Sequence, residues 1–260
     1  MNYGLQISAS GALTSMYRQD VLANNLANMN TVGYKPDIPA TIQRDPARIE
    51  DGLGRMASNR LIERLGAGVL SAPNRVSFAQ GTLEVTNRSL DLALEGDGFF
   101  VVQGEAQGGA GTQIRLTRDG RLSLNADGQL VMATTGLPVL DIRNQPIVPP
   151  GEGEIGVAVD GTLTQNGEIF GRLQIADVPD RSVLSKEGSG LFTPSAAGVA
   201  SVTPIEGRVR QGAVEGAAVN EIAAMMQVTS ASRSVQTNIG MITYHDRLME
   251  QAINTFGRTA

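Results

Sequence analysis

Two stretches of the chain, one at each end, carry a heptad-like alternation of apolar and polar positions. Near the N-terminus Leu5, Ala9, Ala12, Met16, Gln19, Ala23 and Leu26 recur at steps of four and three, a seam that is apolar except at Gln19. The C-terminal stretch repeats the alternation through Met225, Val228, Ser232, Val235, Ile239, Ile242, Asp246, Met249, Ile253 and Phe256, all apolar but Ser232 and Asp246. All 11 prolines lie between Pro36 and Pro204, so both ends lack the residue that most strongly breaks helices. Residues 1–33 and 214–257 are therefore predicted as helices, the first stopped by Gly33 and Pro36.

Between the ends the period shortens. Short apolar runs at Leu90–Leu94, Phe99–Val102, Ile114–Thr117, Leu130–Met132, Leu137–Leu140, Ile155–Val159 and Leu173–Ala176 read as strands. Asp97-Gly98, Asp119-Gly120, Asp127-Gly128, Asp160-Gly161 and Asn166-Gly167 punctuate them, pairs that suit hairpin turns. The expected fold class is α+β: terminal coiled-coil-like helices flanking a central, mainly antiparallel β domain. The expected divisions are an N-terminal helix at 1–35, a connector at 36–80, the β domain at 81–206 and a C-terminal helical segment at 207–260. The connector is assigned because 36–80 shows no clear period and holds Pro36, Pro39, Pro46, Gly52, Gly54, Gly66 and Gly68.

At about 1.5 Å per residue the helices would be about 50 and about 65 Å long. A compact β domain cannot cover seams of that length. The expectation is that the helices pack against other copies and become firm on assembly. An intramolecular pair formed by the two helices is the alternative, and it is compatible with further association.

Composition narrows the chemistry. Lys and Arg total 21 against 26 Asp and Glu, a net charge of −5, and there is no basic run to displace counterions from a nucleic acid. The absence of cysteine removes thiol catalysis, disulfides and cysteine-ligated zinc. Aromatics are sparse at 4%, so packing relies on aliphatic side chains and methionine. The segment from Met1 to Leu5 lacks the basic and apolar regions of a secretory signal, and no run of 18 apolar residues exists. Taken alone, these features point to the cytoplasm.

Candidate catalytic groups are few. His245 is the one histidine, and its neighbour Asp246 would point about 100° away on a helix. Asp91, Glu95, Asp97, Asp119, Asp127 and Asp160 could in principle supply paired carboxylates, but four of them precede glycine, where aspartate serves turn geometry. Gly96-Asp97-Gly98 and Gly108-Gly109-Ala110-Gly111 open no helix and precede no Gly-Lys-Ser/Thr, so they read as loops. Asn87-Arg88-Ser89 fits the glycosylation pattern, which arises often by chance. No Gly-x-Ser-x-Gly elbow is present. Asn24, Asn25, Asn28 and Asn30 crowd the end of the first helix, either solvated or, for Asn24 and Asn28 on one face, bonded to a neighbouring helix to fix register.

Several blocks resemble the flagellar rod and hook family. Asn24-Asn25-Leu26-Ala27-Asn28 leading to Thr31-Val32-Gly33-Tyr34-Lys35 is similar to its N-terminal signature. Gln80-Gly81-Thr82-Leu83, Leu90 to Phe100, Leu116 to Gly120, Asp127 to Val131 and Gly136 to Leu140 resemble its second block, and Val209 to Glu215 its lead-in to the last helix. Gly171-Arg172-Leu173, Gly190-Leu191-Phe192 and the closing Ala252-Ile253-Asn254 with Gly257-Arg258 look most like the proximal rod subunit, the distal subunit being the runner-up. Ala217-Ala218 and Val235 depart from the family's usual Ser-Asn and aromatic.

The resemblance implies a structural subunit of an axial shaft, with terminal helices inside and a β domain outside. It implies export through the flagellar apparatus without a cleaved signal, and a place in the periplasmic section of the basal body. That overrides the cytoplasmic inference. Implied partners are copies of itself, other rod subunits and the export apparatus, with no nucleic acid, small-molecule substrate, cofactor or metal. The expected assembly interface is Leu5, Ala9, Ala12, Met16, Ala23, Leu26, Asn24 and Asn28 on the first helix, and Met225, Val228, Val235, Ile239, Ile242, Met249, Ile253 and Phe256 on the last. A cell-wall glycan hydrolase or a monomeric binding module are the competing classes.

Overall fold

The computed structural model describes residues 3–46, 49, 52, 66–105, 112–195, 202–205 and 207–256. They form two compact units: one joins both terminal helices to residues 37–76, and the other holds residues 28–36 and 77–219. The fold is α+β, as the alternating periods require.

In the first unit, helix α1 spans Tyr3–Ala27 and helix α2 spans Glu221–Phe256. The end of α1 comes earlier than Gly33 because asparagines compete with the helix for hydrogen bonds. Thr31 N–H donates to Asn28 O at 3.0 Å, making a tight turn instead of another helical step. Asn25 turns its amide away to residue 37, accepting from Asp37 N–H at 3.0 Å and donating to Asp37 O at 2.7 Å. The start of α2 comes later than 214 because Ala213–Glu215 is a strand, paired with Leu83–Val85. Asn220 caps the helix: its side-chain oxygen accepts from Ala223 N–H at 2.9 Å.

The expected connector contains a β ribbon. Asp37–Gln43 pairs antiparallel with Val69–Val76, and the register slips between Ile38 and Ala40. Pro39 and Pro73 fall at that irregularity, where a missing donor costs no ladder bond. Prolines that argued against strands on the sequence are tolerated in a two-stranded ribbon at a slip in register.

The second unit is antiparallel throughout. Its main sheet has six strands in the order Leu184–Gly188, Leu191–Pro194, Thr112–Thr117, Phe99–Glu105, Ile175–Asp177 and Thr203–Pro204. A three-stranded sheet joins Glu168–Arg172, Thr162–Gln165 and Ile155–Val157. Leu92, Leu94, Phe100, Val102, Leu122, Met132, Val139, Leu163 and Val209 belong to one buried cluster that these strands enclose. Phe78, Phe99 and Phe192 form a second, aromatic cluster with ring centroids 5.3–5.8 Å apart. The run Leu137–Leu140, expected as a strand, makes only isolated bridges to Val102, Val131 and Pro146.

The turn pairs divide by physical cause. Asn166 (φ 52°) and Gly167 (φ 86°) make the expected hairpin between Thr162–Gln165 and Glu168–Arg172. Asp119-Gly120 is different, and the turn assignment is corrected there. A Cβ on Gly120 would lie 1.7 Å from Leu92 O, so glycine is required by close backbone approach. The Asp119 carboxylate is buried and accepts from Arg121 and Thr134. Gly120→Ala should lower the urea-unfolding stability by about 3 kcal/mol or more, because backbone, not a mobile side chain, occupies the space.

Candidate assembly surface

Helices α1 and α2 pack antiparallel within the first unit. Gly4 lies against His245 and Gly11 against Asn238, whose amide donates to Ser15 Oγ at 3.4 Å. The pairing covers Ala224, Val228, Ala231, Val235, Asn238, Ile242, His245 and Ala252, all buried or half-buried, on α2. On α1 it leaves Ser8, Ala12, Thr14, Leu22 and Asn25 buried, with the ribbon contributing to their cover. The intramolecular pair is thus formed.

This pair divides the expected interface residues into two sets. Ala12 is buried, and Leu5, Ala9, Leu26, Asn28, Val228, Val235 and Ile242 are half-buried. Met16, Ala23, Asn24, Met225, Ile239, Met249 and Ile253 face out, and the Phe256 side chain lies outside the described residues. The reason is a displacement of one position. Val228, Val235 and Ile242 belong to both stripes, but Ala224, Ala231, Asn238, His245 and Ala252 replace their next neighbours in the covered one, turning the face by about 50°. Small and polar residues let the backbones approach and leave the larger side chains outside. With Ile222 (73% exposed), Met226 and Leu248, the outward set leaves apolar side chains uncovered at both ends of α2, Ile222, Met225 and Met226 at one and Leu248, Met249 and Ile253 (67% exposed) at the other, with Ile239 between them.

A charged core organises the second unit. Glu215, with no exposed side-chain surface, accepts from Lys35 Nζ at 2.5 Å and Gly81 N–H at 2.9 Å on one oxygen, and from an Arg118 nitrogen at 3.0 Å on the other. Two cations face one anion, and the surplus charge is met by carbonyls and a ring. Lys35 also donates to Ala79 O and Arg118 to Gly96 O, while the Arg118 guanidinium lies 5.3 Å from the Phe99 ring centre. Burial pushes the Lys35 ammonium below its ordinary value, with the Glu215 carboxylate pulling it back up.

The backbone follows the charges. Gly33 N–H donates to Glu215 O at 2.7 Å and Ala218 N–H to Tyr34 O at 3.1 Å, joining the segment after α1 to the segment before α2. Gly33 has φ 68°, and a Cβ there would lie 2.6 Å from Arg118 C. The Thr-x-Gly-Tyr-Lys and Val-Glu blocks were visible as separate motifs; their meeting was not. An isolated lysine and glutamate flanked by apolar or small residues was the available signal.

Three of the carboxylates weighed for catalysis, Asp97, Asp119 and Asp160, are engaged with neighbouring side chains. Asp97 bonds Arg181, which holds its carboxyl below the usual range, and Asp160 bonds Thr162. Among the described residues no cluster of three or more acidic or histidine side chains could hold a metal, and no helix is long and apolar enough to cross a membrane.

Residues 5–35 match the family model for flagella basal body rod proteins, and residues 93–169 that for the flagellar hook protein FlgE/F/G D1 domain. Flagellar basal-body rod protein FlgF of Caulobacter vibrioides is 30% identical over 99% of each chain. The flagellar hook-basal body complex protein FlhO of Bacillus subtilis and the rod protein FlgG of Borreliella burgdorferi are each 30% identical over 98% of each chain.

Glu215→Gln should cost about 3–5 kcal/mol in the urea unfolding of the β unit, because it leaves two buried cations without their anion.

Proposed function

The chain belongs to the flagellar basal-body rod proteins, and from that premise we propose that it is laid into the axial shaft through the apolar face its own helix pair leaves open. It is a structural subunit, and its role is mechanical: many such faces in register carry torque along the shaft. The observation behind this reading is the outward set Ile222, Met225, Met226, Ile239, Leu248, Met249 and Ile253 on α2. Water is a poor neighbour for that many apolar side chains, and the partner helix already covers the face between them.

The finer assignment places the subunit in the proximal rod, resting on Gly171-Arg172-Leu173, Gly190-Leu191-Phe192 and the closing segment. Its neighbours are further copies and other rod subunits. It reaches the periplasmic section of the basal body by the flagellar export apparatus without a cleaved leader. No catalysis is assigned: Asp97, Asp119 and Asp160 are spent on neighbouring side chains rather than facing one another.

Ile239→Asp and Met249→Asp test the face directly. Ile239 stands off the covered stripe and Met249 lies past the Gly4–His245 contact at the end of the pair, so both side chains are about half exposed, and the β unit should keep its wild-type unfolding midpoint while the chain disappears from purified basal bodies by mass spectrometry. Normal motility and incorporation in both variants would overturn the reading. Dilution of the full chain in circular dichroism should also lower helix content, since the open face is satisfied only in the assembly.

A further inference from the structure

Helix α1 contains only two glycines, Gly4 and Gly11, one heptad apart. In a helix interior glycine costs about 1 kcal/mol relative to alanine, so Gly11 calls for a contact that needs the missing Cβ, and Gly4, in the first turn, repeats it one heptad earlier. Both have one. A Cβ at Gly4 would lie 2.7 Å from the His245 ring, and one at Gly11 would lie 3.0 Å from Asn238 Oδ1. His245 and Asn238 are themselves one heptad apart on α2. Gly240, the one glycine of α2, faces open space and serves no such contact.

We infer that Asn238 and His245 are register-determining knobs of the helix pair, seated in holes that Gly11 and Gly4 provide. Two apolar stripes can slide by a turn at little cost, since aliphatic contacts are much alike. A polar side chain in a seam is not indifferent to place, and it specifies register at some expense of stability. Here Asn238 keeps a partner in Ser15 Oγ while its amide sits over Gly11. A slip of one turn sets both polar groups against side chains instead of glycines. A slip of one heptad seats at most one knob: either Asn238 over Gly4, or His245 over Gly11 with Asn238 carried opposite Arg18. Only one antiparallel register fills both holes. That register fixes which α1 side chains stand beside Ile239. This consequence for assembly rests on the rod reading; the register itself does not.

The test uses the full chain, whose lack of cysteine leaves introduced pairs unambiguous. Ser8 lies between the two glycines and Ile242 between the two knobs, both on the covered faces. In a glutathione buffer Ser8→Cys with Ile242→Cys should form a disulfide at least about tenfold more readily than Ser8→Cys with Val235→Cys, the pair expected after a heptad slip. Adding Asn238→Leu and His245→Leu should raise helix content yet bring the two disulfides to near parity. A second arm exchanges knob and hole: Gly11→Leu should suppress the Ser8–Ile242 crosslink, Asn238→Ala should restore it, and His245→Ala should not. Unchanged selectivity in the leucine variant, absence of the native-register crosslink, or equal rescue by both alanines would overturn the assignment. Because every readout is taken on unassembled protein, failure of the rod reading leaves these results intact.

Discussion

A carboxylate with no surface in water must be answered from within the protein, and Glu215 is answered by Lys35, Arg118 and the Gly81 amide. Removing Glu215 leaves two buried cations uncompensated, which costs more than the network contributes when complete. The network therefore acts less as a source of stability than as a condition on the fold. Glu215 sits on the strand before α2, Lys35 on the segment after α1, and Arg118 at the end of a central strand. Once these three are together, Gly33 and Tyr34 have their backbone partners, and Gly81 and Gly96 are drawn in beside them. The close approach leaves no room for a Cβ at Gly33, so motif, charge and backbone conformation share one cause.

The helix pair obeys a different economy. Its seam mixes Val228, Val235 and Ile242 with alanine, serine, glycine, asparagine and histidine, where a self-sufficient coiled coil would carry leucine and isoleucine throughout. Other large residues, Met225, Ile239 and Ile253 among them, meet solvent. Such a distribution leaves apolar side chains of α2 uncovered in the single chain.

The sequence made the α+β division plain, because periods of three-and-four and of two rarely mimic each other and the prolines avoid both ends. The helix boundaries were harder. Asn28 to Asn30 still count as helical by spacing, and only the bonds they make to backbone end the helix at Ala27. The ribbon at residues 37–76 was hidden because Pro39 and Pro73 veto a strand on propensity alone, whereas a two-stranded ribbon accepts them at a slip in register. The stripe read from hydrophobicity and the face that α1 covers share Val228, Val235 and Ile242 and differ by one position in alternate members, because hydrophobicity selects Met225 and Ile239 while close packing within the pair selects Ala224 and Asn238. Asn25, which no local signal marked, is buried and tied at both ends of its amide to Asp37. Glu215, Lys35 and Arg118 escaped notice as a set because nothing local marks residues so distant in the chain as partners.

Lys35 and Glu215 are separated by 180 positions. A polypeptide threaded into a compartment from its N-terminus delivers the ammonium long before the carboxylate that must neutralise it. Until then, closing the interior around Lys35 would strand a lone charge in a medium that cannot hydrate it. The arriving part of the molecule is therefore kept loose by its own electrostatics, and the loop-closing step of folding waits for the distal strand. In this chain the placement of one acid and one base makes closure of the β interior wait for residues far along the sequence.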